Sequence, residues 1–320
     1  MTPAPAVPRV GDCVEVRSLD GILATLDREG SREGLAFMPE MAGHCGRRHR
    51  VTAVMTKICG GGPGMRAVLG EPLLLLDGLR CDGTAHGRCS RACTLLWKPA
   101  WVVPSTGSAG EPSGEPSGAP ADWPYRTERE GGGYVCQATS LPHATRWISS
   151  VQKVRRALDD VRAGEWSLGA LAVVYAQTVF HRVFARLRRL WGALGGRRPT
   201  PVEVLDLRPG ERVQVKSLGE ILATLDRHGR NRGLEFSRYM IPFCGGTYRV
   251  SARMENFVDE TTGSLRKLQN TVLLEGVACG GETTSGPCRR AEYLYWREIW
   301  LRRVDSPSAE RDAKAETRAT

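Results

Sequence analysis

The residues best suited to chemistry in this chain are cysteines, and a comparison of its two halves selects among the ten present. Cys45 aligns with Cys244, Cys81 with Cys279 and Cys89 with Cys288, allowing one single-residue slip in a loop. Thiolates take zinc or the iron of an iron–sulfur cluster, and a structural zinc wants four ligands in a tetrahedron. In the first half Cys93 completes a set with Cys45, Cys81 and Cys89. In the second half Glu292 stands at the matching place, so the fourth ligand beside Cys244, Cys279 and Cys288 is that carboxylate, a neighbouring side chain or water. A closed set of four thiolates is structural, whereas three protein ligands and a water leave a position for chemistry. Zinc is the expected metal, a metal-free chain is the main alternative, and an iron–sulfur cluster ranks behind both. Cys13, Cys59 and Cys136 have no counterparts and read as ordinary.

Other groups add less. His44, His49 and His86 lie near the first set of thiols, but Phe243, Tyr248 and a loop stand opposite them, so they are not read as shared ligands. No Ser/His/Asp order, H-E-x-x-H or phosphate loop is present. Arg50 and Arg249 correspond, as do Arg91 and Arg290, and guanidinium groups near thiols can hold an anionic ligand. Arg297 joins Tyr293, Tyr295, Arg302 and Arg303 in an aromatic and basic set suited to stacking and phosphate contact.

The elements that must position these groups come from a duplication. Gly-Asp-Cys-Val-Glu-Val-Arg-Ser-Leu-Asp-Gly-Ile-Leu-Ala-Thr-Leu-Asp at 11–27 returns as Gly-Glu-Arg-Val-Gln-Val-Lys-Ser-Leu-Gly-Glu-Ile-Leu-Ala-Thr-Leu-Asp at 210–226. Each copy predicts a strand, a short helix opened by Ser18 or Ser217, a glycine exit, and three or four further strands. Ser217 and Glu220 form a capping box. Four aligned tryptophans, Trp97, Trp101, Trp296 and Trp300, read as core. The predicted map is a flexible lead at 1–10, a first β-barrel repeat at 11–103, a disordered linker at 104–122 and an irregular stretch at 123–144. A helical hairpin at 145–195, a second β-barrel repeat at 202–304 and a disordered tail at 305–320 follow.

The fold class expected is mainly β with a helical insert: two small SH3-like barrels joined by the helical hairpin. The opening Gly-(Asp/Glu)-x-Val-x-Val strand followed by a long excursion resembles that class. The second copy, with Met240-Ile-Pro-Phe-Cys-Gly245, Leu274-Glu-Gly-Val-Ala-Cys279 and Tyr295-Trp-Arg-Glu-Ile-Trp-Leu-Arg-Arg-Val304, is similar to an uncharacterised bacterial module with retained cysteines. A fold-level resemblance of this kind carries no activity with it.

A net charge of +10 over 320 residues favours an acidic partner, nucleic acid or protein, and the arginines of the central helix suit peripheral contact with an anionic membrane. The N-terminal residues lack the pattern of a secretory signal, and cytoplasmic placement is the expectation. The function expected is a zinc-stabilised tandem β-barrel that binds or scaffolds an acidic partner. The alternative is a metal-dependent bacterial biosynthetic enzyme with an open three-cysteine site in the second repeat.

Overall fold

The computed structural model describes residues 7–59, 65–106, 120, 122–149, 161, 167–169, 172–173, 176, 179, 199–280, 282–283, 286–287 and 289–304. The chain is mainly β and divides into two compact units. The first comprises Met1–Ala176, Asn256–Lys267 and Gly280–Glu292; the second comprises Gln177–Glu255, Leu268–Cys279 and Tyr293–Thr320. The units therefore differ from the two sequence copies, because a hairpin and a loop from the 202–304 stretch count with the first unit. Among the described residues no helix is long and apolar enough to cross a membrane.

In the first unit the strand Cys13–Val16 sits inside a five-stranded antiparallel sheet. Val14 and Val16 alternate into the core, as a period of two requires. This strand pairs with Arg48–Met55 on one side and Val102–Pro104 on the other. Leu73–Arg80 and then Thr94–Trp97 extend the sheet beyond Arg48–Met55. In the second unit Arg212–Val215 holds the same place, between Thr247–Arg253 and Leu301–Arg303, with Thr271–Leu274 and Trp296–Arg297 beyond. Both sheets are open among the described residues, since their end strands do not pair with each other. The mainly β class is as expected; a closed barrel is not what the described strands form.

The same side-chain contacts pin each sheet to its short helix. Ser18 caps Leu19–Leu23 by accepting from the amide of Gly21, and Ser217 and Glu220 make the full box on Leu218–Leu222. Trp101 Nε1 donates to Thr25 Oγ1 at 3.2 Å, and Trp300 Nε1 to Thr224 Oγ1 at 3.0 Å. Phe37 packs edge-on against Trp97 and Trp101, as Phe236 does against Trp296 and Trp300. All four tryptophans are fully buried.

Two expectations need correction. Thr145–Trp147 is a strand paired with Met65–Val68, not the start of a helix: Thr145 is β-branched, Trp147 is aromatic, and a sheet edge is free to take them. The stretch expected to be irregular holds the helix Gln137–Ala144, which ends soon after Pro142, where no amide is available to continue the ladder. Most of the predicted helical hairpin and linker, and all of the tail at 305–320, lie outside the described residues.

The second unit has a lock the first lacks. Glu298 is fully buried, and its carboxylate accepts the consecutive amides of Leu205, Asp206 and Leu207 at 2.7, 3.1 and 3.1 Å. Asp206 adopts a positive φ of 48°, which turns these amides toward one anion, and Arg253 Nη1 adds a fourth contact at 3.4 Å. Pro99 occupies the matching place in the first unit. Glu298→Gln should destabilise the second unit by about 2 kcal/mol or more, because an amide nitrogen would face these donors. Urea unfolding and faster hydrogen exchange at 205–207 are the measurements.

Candidate metal centre

The loop between strands Leu73–Arg80 and Thr94–Trp97 carries Cys81, His86, Cys89 and Cys93. Thr84 is held to Asp82 through both its amide and its hydroxyl, and Gly83 adopts a positive φ with Cys89 backbone pressed against it. A Cβ at Gly83 would lie 2.1 Å from the Cys89 carbonyl oxygen, so a glycine is required for the loop to fold back on itself.

This fold-back brings Cys81 and His86 together with Glu40 from the short 3-10 helix Pro39–His44. Cys81 Sγ lies 3.4 Å from His86 Nε2 and 3.3 Å from Glu40 Oε1, and His86 Nδ1 lies 3.2 Å from Glu40 Oε1. The side chains of Glu40 and His86 are each 3% exposed. These three residues can hold a metal ion, since their ligand atoms lie within 4.8 Å of one another. Tetrahedral ligands around zinc stand roughly 3.5 Å apart, given bonds of about 2.0–2.3 Å. Cys89 and Cys93 line the same cavity, together with Cys136, Met38, Leu95 and Val258.

Burial raises the Cys81 thiol to about 11 against the help of His86. Burial raises Cys93 as well, reinforced by the nearby Glu292 carboxylate. For Cys89 burial is outweighed by hydrogen bonds from His86 and from the amides of Val258 and Arg91, and its pKa is lowered. For His86 burial is outweighed in turn by its contacts with Cys81, Cys89 and Glu40, which favour the charged ring.

One wall of the site comes from late in the chain. The hairpin of Asn256–Val258 and Leu265–Lys267 sits on this loop: Ser90 N donates to Asn256 O at 2.9 Å and Val258 N to Cys89 Sγ at 3.4 Å. Behind it four charged side chains cluster, Arg290 buried and Arg91, Glu260 and Glu292 partly buried. Arg91 pairs with Glu260 at 2.5 Å, and Arg290 pairs with Glu260 at 3.3 Å and Glu292 at 2.8 Å. Thr94 Oγ1 and Arg80 Nη2 donate to the carbonyls of Arg290 and Ala291.

The predicted set is thus regrouped. Cys81, Cys89 and Cys93 share one cavity, while Cys45 does not line it and ends the 3-10 helix, its amide donating to Ala42 O. Cys244 ends the matching 3-10 helix in the second unit, and Cys279 is half-buried there. Cys288 lies outside the described residues. Glu292 belongs to the first unit, where Arg290 holds its carboxylate. The arginines expected to bind a ligand contact the chain itself. Arg50 donates to Gly11 O and Arg249 to Gly210 O, at 3.0 and 3.1 Å. Arg290 is buried in the charge cluster, and Arg297 reaches the carbonyls of Gln269 and Arg232. Sequence reasoning placed His86 near the thiols but set it aside as a ligand, and it missed Glu40 beside them and Cys136 as a cavity wall. The signal for His86 was its place between Cys81 and Cys89 in one short loop.

No family model matches the chain, and neither a curated protein nor a solved structure does.

Two further histidines, His44 and His49, pack beside Trp97. His44 stacks edge-on against His49 and Trp97, where the second unit has Phe243 against Tyr248 and Trp296. Burial, reinforced by His49, pushes His44 down to about 4, and burial also lowers His49. In the unfolded chain both titrate near 6.5. Their contribution is therefore complete above about pH 6.5 and is lost as pH falls toward 4, by a total on the order of 3 kcal/mol. His44→Phe combined with His49→Tyr, the second copy's residues, should flatten this loss in thermal midpoints compared between neutral and acid pH.

Proposed function

We propose that the chain is a non-catalytic binding protein built from two copies of an SH3-like module, the first of which is closed by a structural zinc ion. The proposed ligands are Cys81, His86 through Nε2, Cys89 and Cys93, with Glu40 holding Nδ1 of the imidazole. A carboxylate behind a ligating histidine fixes its tautomer and orientation. Thiolate with imidazole is a donor set that suits zinc better than a hard cation, and the histidine sets it apart from an iron–sulfur cluster with four cysteines.

The observation that carries this reading is the size of the cavity. It offers about 10 Å³, space for one water-sized particle, between Met38, Leu95, Ala138 and Val258. A substrate has no room beside the metal, so closing the loop is the chemistry available. The net charge of +10 supports an acidic partner. The enzymatic alternative relies on an open site at Cys244, Cys279 and Cys288 with Glu292, and the engagement of Glu292 by Arg290 speaks against it.

Elemental analysis of the purified chain tests the reading. One zinc per chain is expected from the first site, retained on dialysis and released on unfolding. Cys81→Ser and His86→Ala should abolish it and lower the melting temperature. Glu40→Gln should keep the stoichiometry while weakening affinity about 10- to 100-fold. A chain without metal, or with a freely exchanging one, would overturn the structural assignment.

A further inference from the structure

Both copies build the same device after their short helix. Asp27 Oδ1 accepts the amides of Glu29 and Ser31, each at 2.9 Å, and Asp226 Oδ1 accepts those of His228 and Arg230 at 2.8 and 3.0 Å. Each turn then runs into a two-residue hairpin. Ser31–Arg32 pairs with Leu35–Ala36, and Arg230–Asn231 pairs with Leu234–Glu235. The central residues, Glu33 and Gly34 in one and Arg232 and Gly233 in the other, all have positive φ, as a type I′ turn demands.

What differs is cover and charge. In the first unit the hairpin is packed away: Ala36 N donates to Ser140 Oγ at 3.1 Å, and a Cβ on Gly34 would meet the backbone of His143 at 2.7 Å. Its charges are also used internally, Arg32 on Glu71 at 2.7 Å and Glu33 on the buried Lys98 at 2.6 Å. In the second unit a Cβ on Gly233 would meet nothing within 4 Å among the described residues. Arg227, His228, Arg230 and Arg232 are all exposed there. Position by position, Glu29, Ser31 and Glu33 have become His228, Arg230 and Arg232 on an unchanged turn. Among the described residues, no carboxylate lies within ion-pair distance of these three arginines. Asp226 is turned onto backbone amides, and Glu235 faces Arg230 in register without pairing to it.

We propose that the exposed basic side chains of this hairpin, residues 226–235 of the second unit, form a contact surface for the phosphate backbone of a nucleic acid. Guanidinium groups present paired donors that fit phosphate oxygens, and several on one short turn can follow successive phosphates. An anionic lipid surface fits less well, because an interfacial element needs apolar side chains to bury. On this hairpin Leu234 is half-buried and Phe236 just beyond it is buried in its own core. The inference rests on the reading of the chain as a binder of an acidic partner and says where that partner sits.

The test is fluorescence anisotropy of a labelled mixed-sequence DNA duplex with the full chain, across a salt series. The variant is H228E/R230S/R232E, which installs residues that already fold in the same turn of the first copy; unchanged zinc content and melting temperature confirm its integrity. The parent chain should bind with an affinity that falls with salt. The variant should bind at least about tenfold more weakly, with a slope of log K against log salt shallower by about 2. Equal affinity and slope in the two proteins would overturn this surface and leave the acidic-partner reading standing. A parent chain that ignores the duplex but binds phosphatidylserine vesicles would overturn the nucleic-acid assignment. One that binds neither the duplex, the vesicles nor an acidic protein would overturn the acidic-partner reading as well.

Discussion

The first unit depends on four charges that have been largely taken out of water together. Arg91 and Arg290, from matching places in the two copies, share Glu260, and Arg290 also holds Glu292. A buried ion pair gives little net stability over an apolar replacement, but removing one partner leaves an uncompensated charge that costs several kcal/mol. The quartet therefore acts as a constraint on what may occupy this place. Glu260, from the turn of the hairpin at 256–267, and Glu292 bring carboxylates to the Arg91 side of the thiol loop. With them come Val258 over Cys89 and the carbonyls that satisfy Thr94 and Arg80.

Much of the scaffold could be read from residues alone, because it rests on short-range chemistry. The Ser217–Glu220 box, the inward Val14 and Val16, the buried tryptophans and the Asp259–Gly263 turn are each decided within a few residues. The stretch 265–277, continuously extended in a residue-by-residue reading, holds two separate strands, Leu265–Lys267 and Thr271–Leu274. The two pieces fall in different units, and no local pattern marks that break. The metal centre was half legible for a related reason. Aligning the copies found Cys81 and Cys89, yet the same alignment set His86 aside, since the second copy has no histidine to match it. A candidate ligand that stands in one copy alone is hidden from a comparison that looks for what the copies share.

The two units show how one framework carries different business. A buried cation follows the inner tryptophan in both: Lys98 donates to the carbonyls of Leu69 and Glu71, Arg297 to those of Gln269 and Arg232. The indole-to-threonine bond is kept within a few tenths of an ångström. Around that fixed frame the first copy uses its loops inwardly, on thiols, imidazoles and the helix Gln137–Ala144. The second copy secures its leading segment with Glu298 and leaves the basic side chains of its turn exposed.

The composition of the first unit also sets an order of events during synthesis. Val258 belongs to the same buried cluster as Val14 and Val16, although more than two hundred residues separate it from them along the chain. A nascent chain emerging from the ribosome can pair the strands of the first sheet early, but the face over the thiol loop stays open until residue 292 has left the exit tunnel. Contacts that span so much sequence are slow to form, and apolar surface awaiting them is prone to misassociate. During that interval Cys81, Cys89 and Cys93 would be accessible to solvent and reagents, so the timing of translation, as well as the final packing, determines how long these thiols go unprotected.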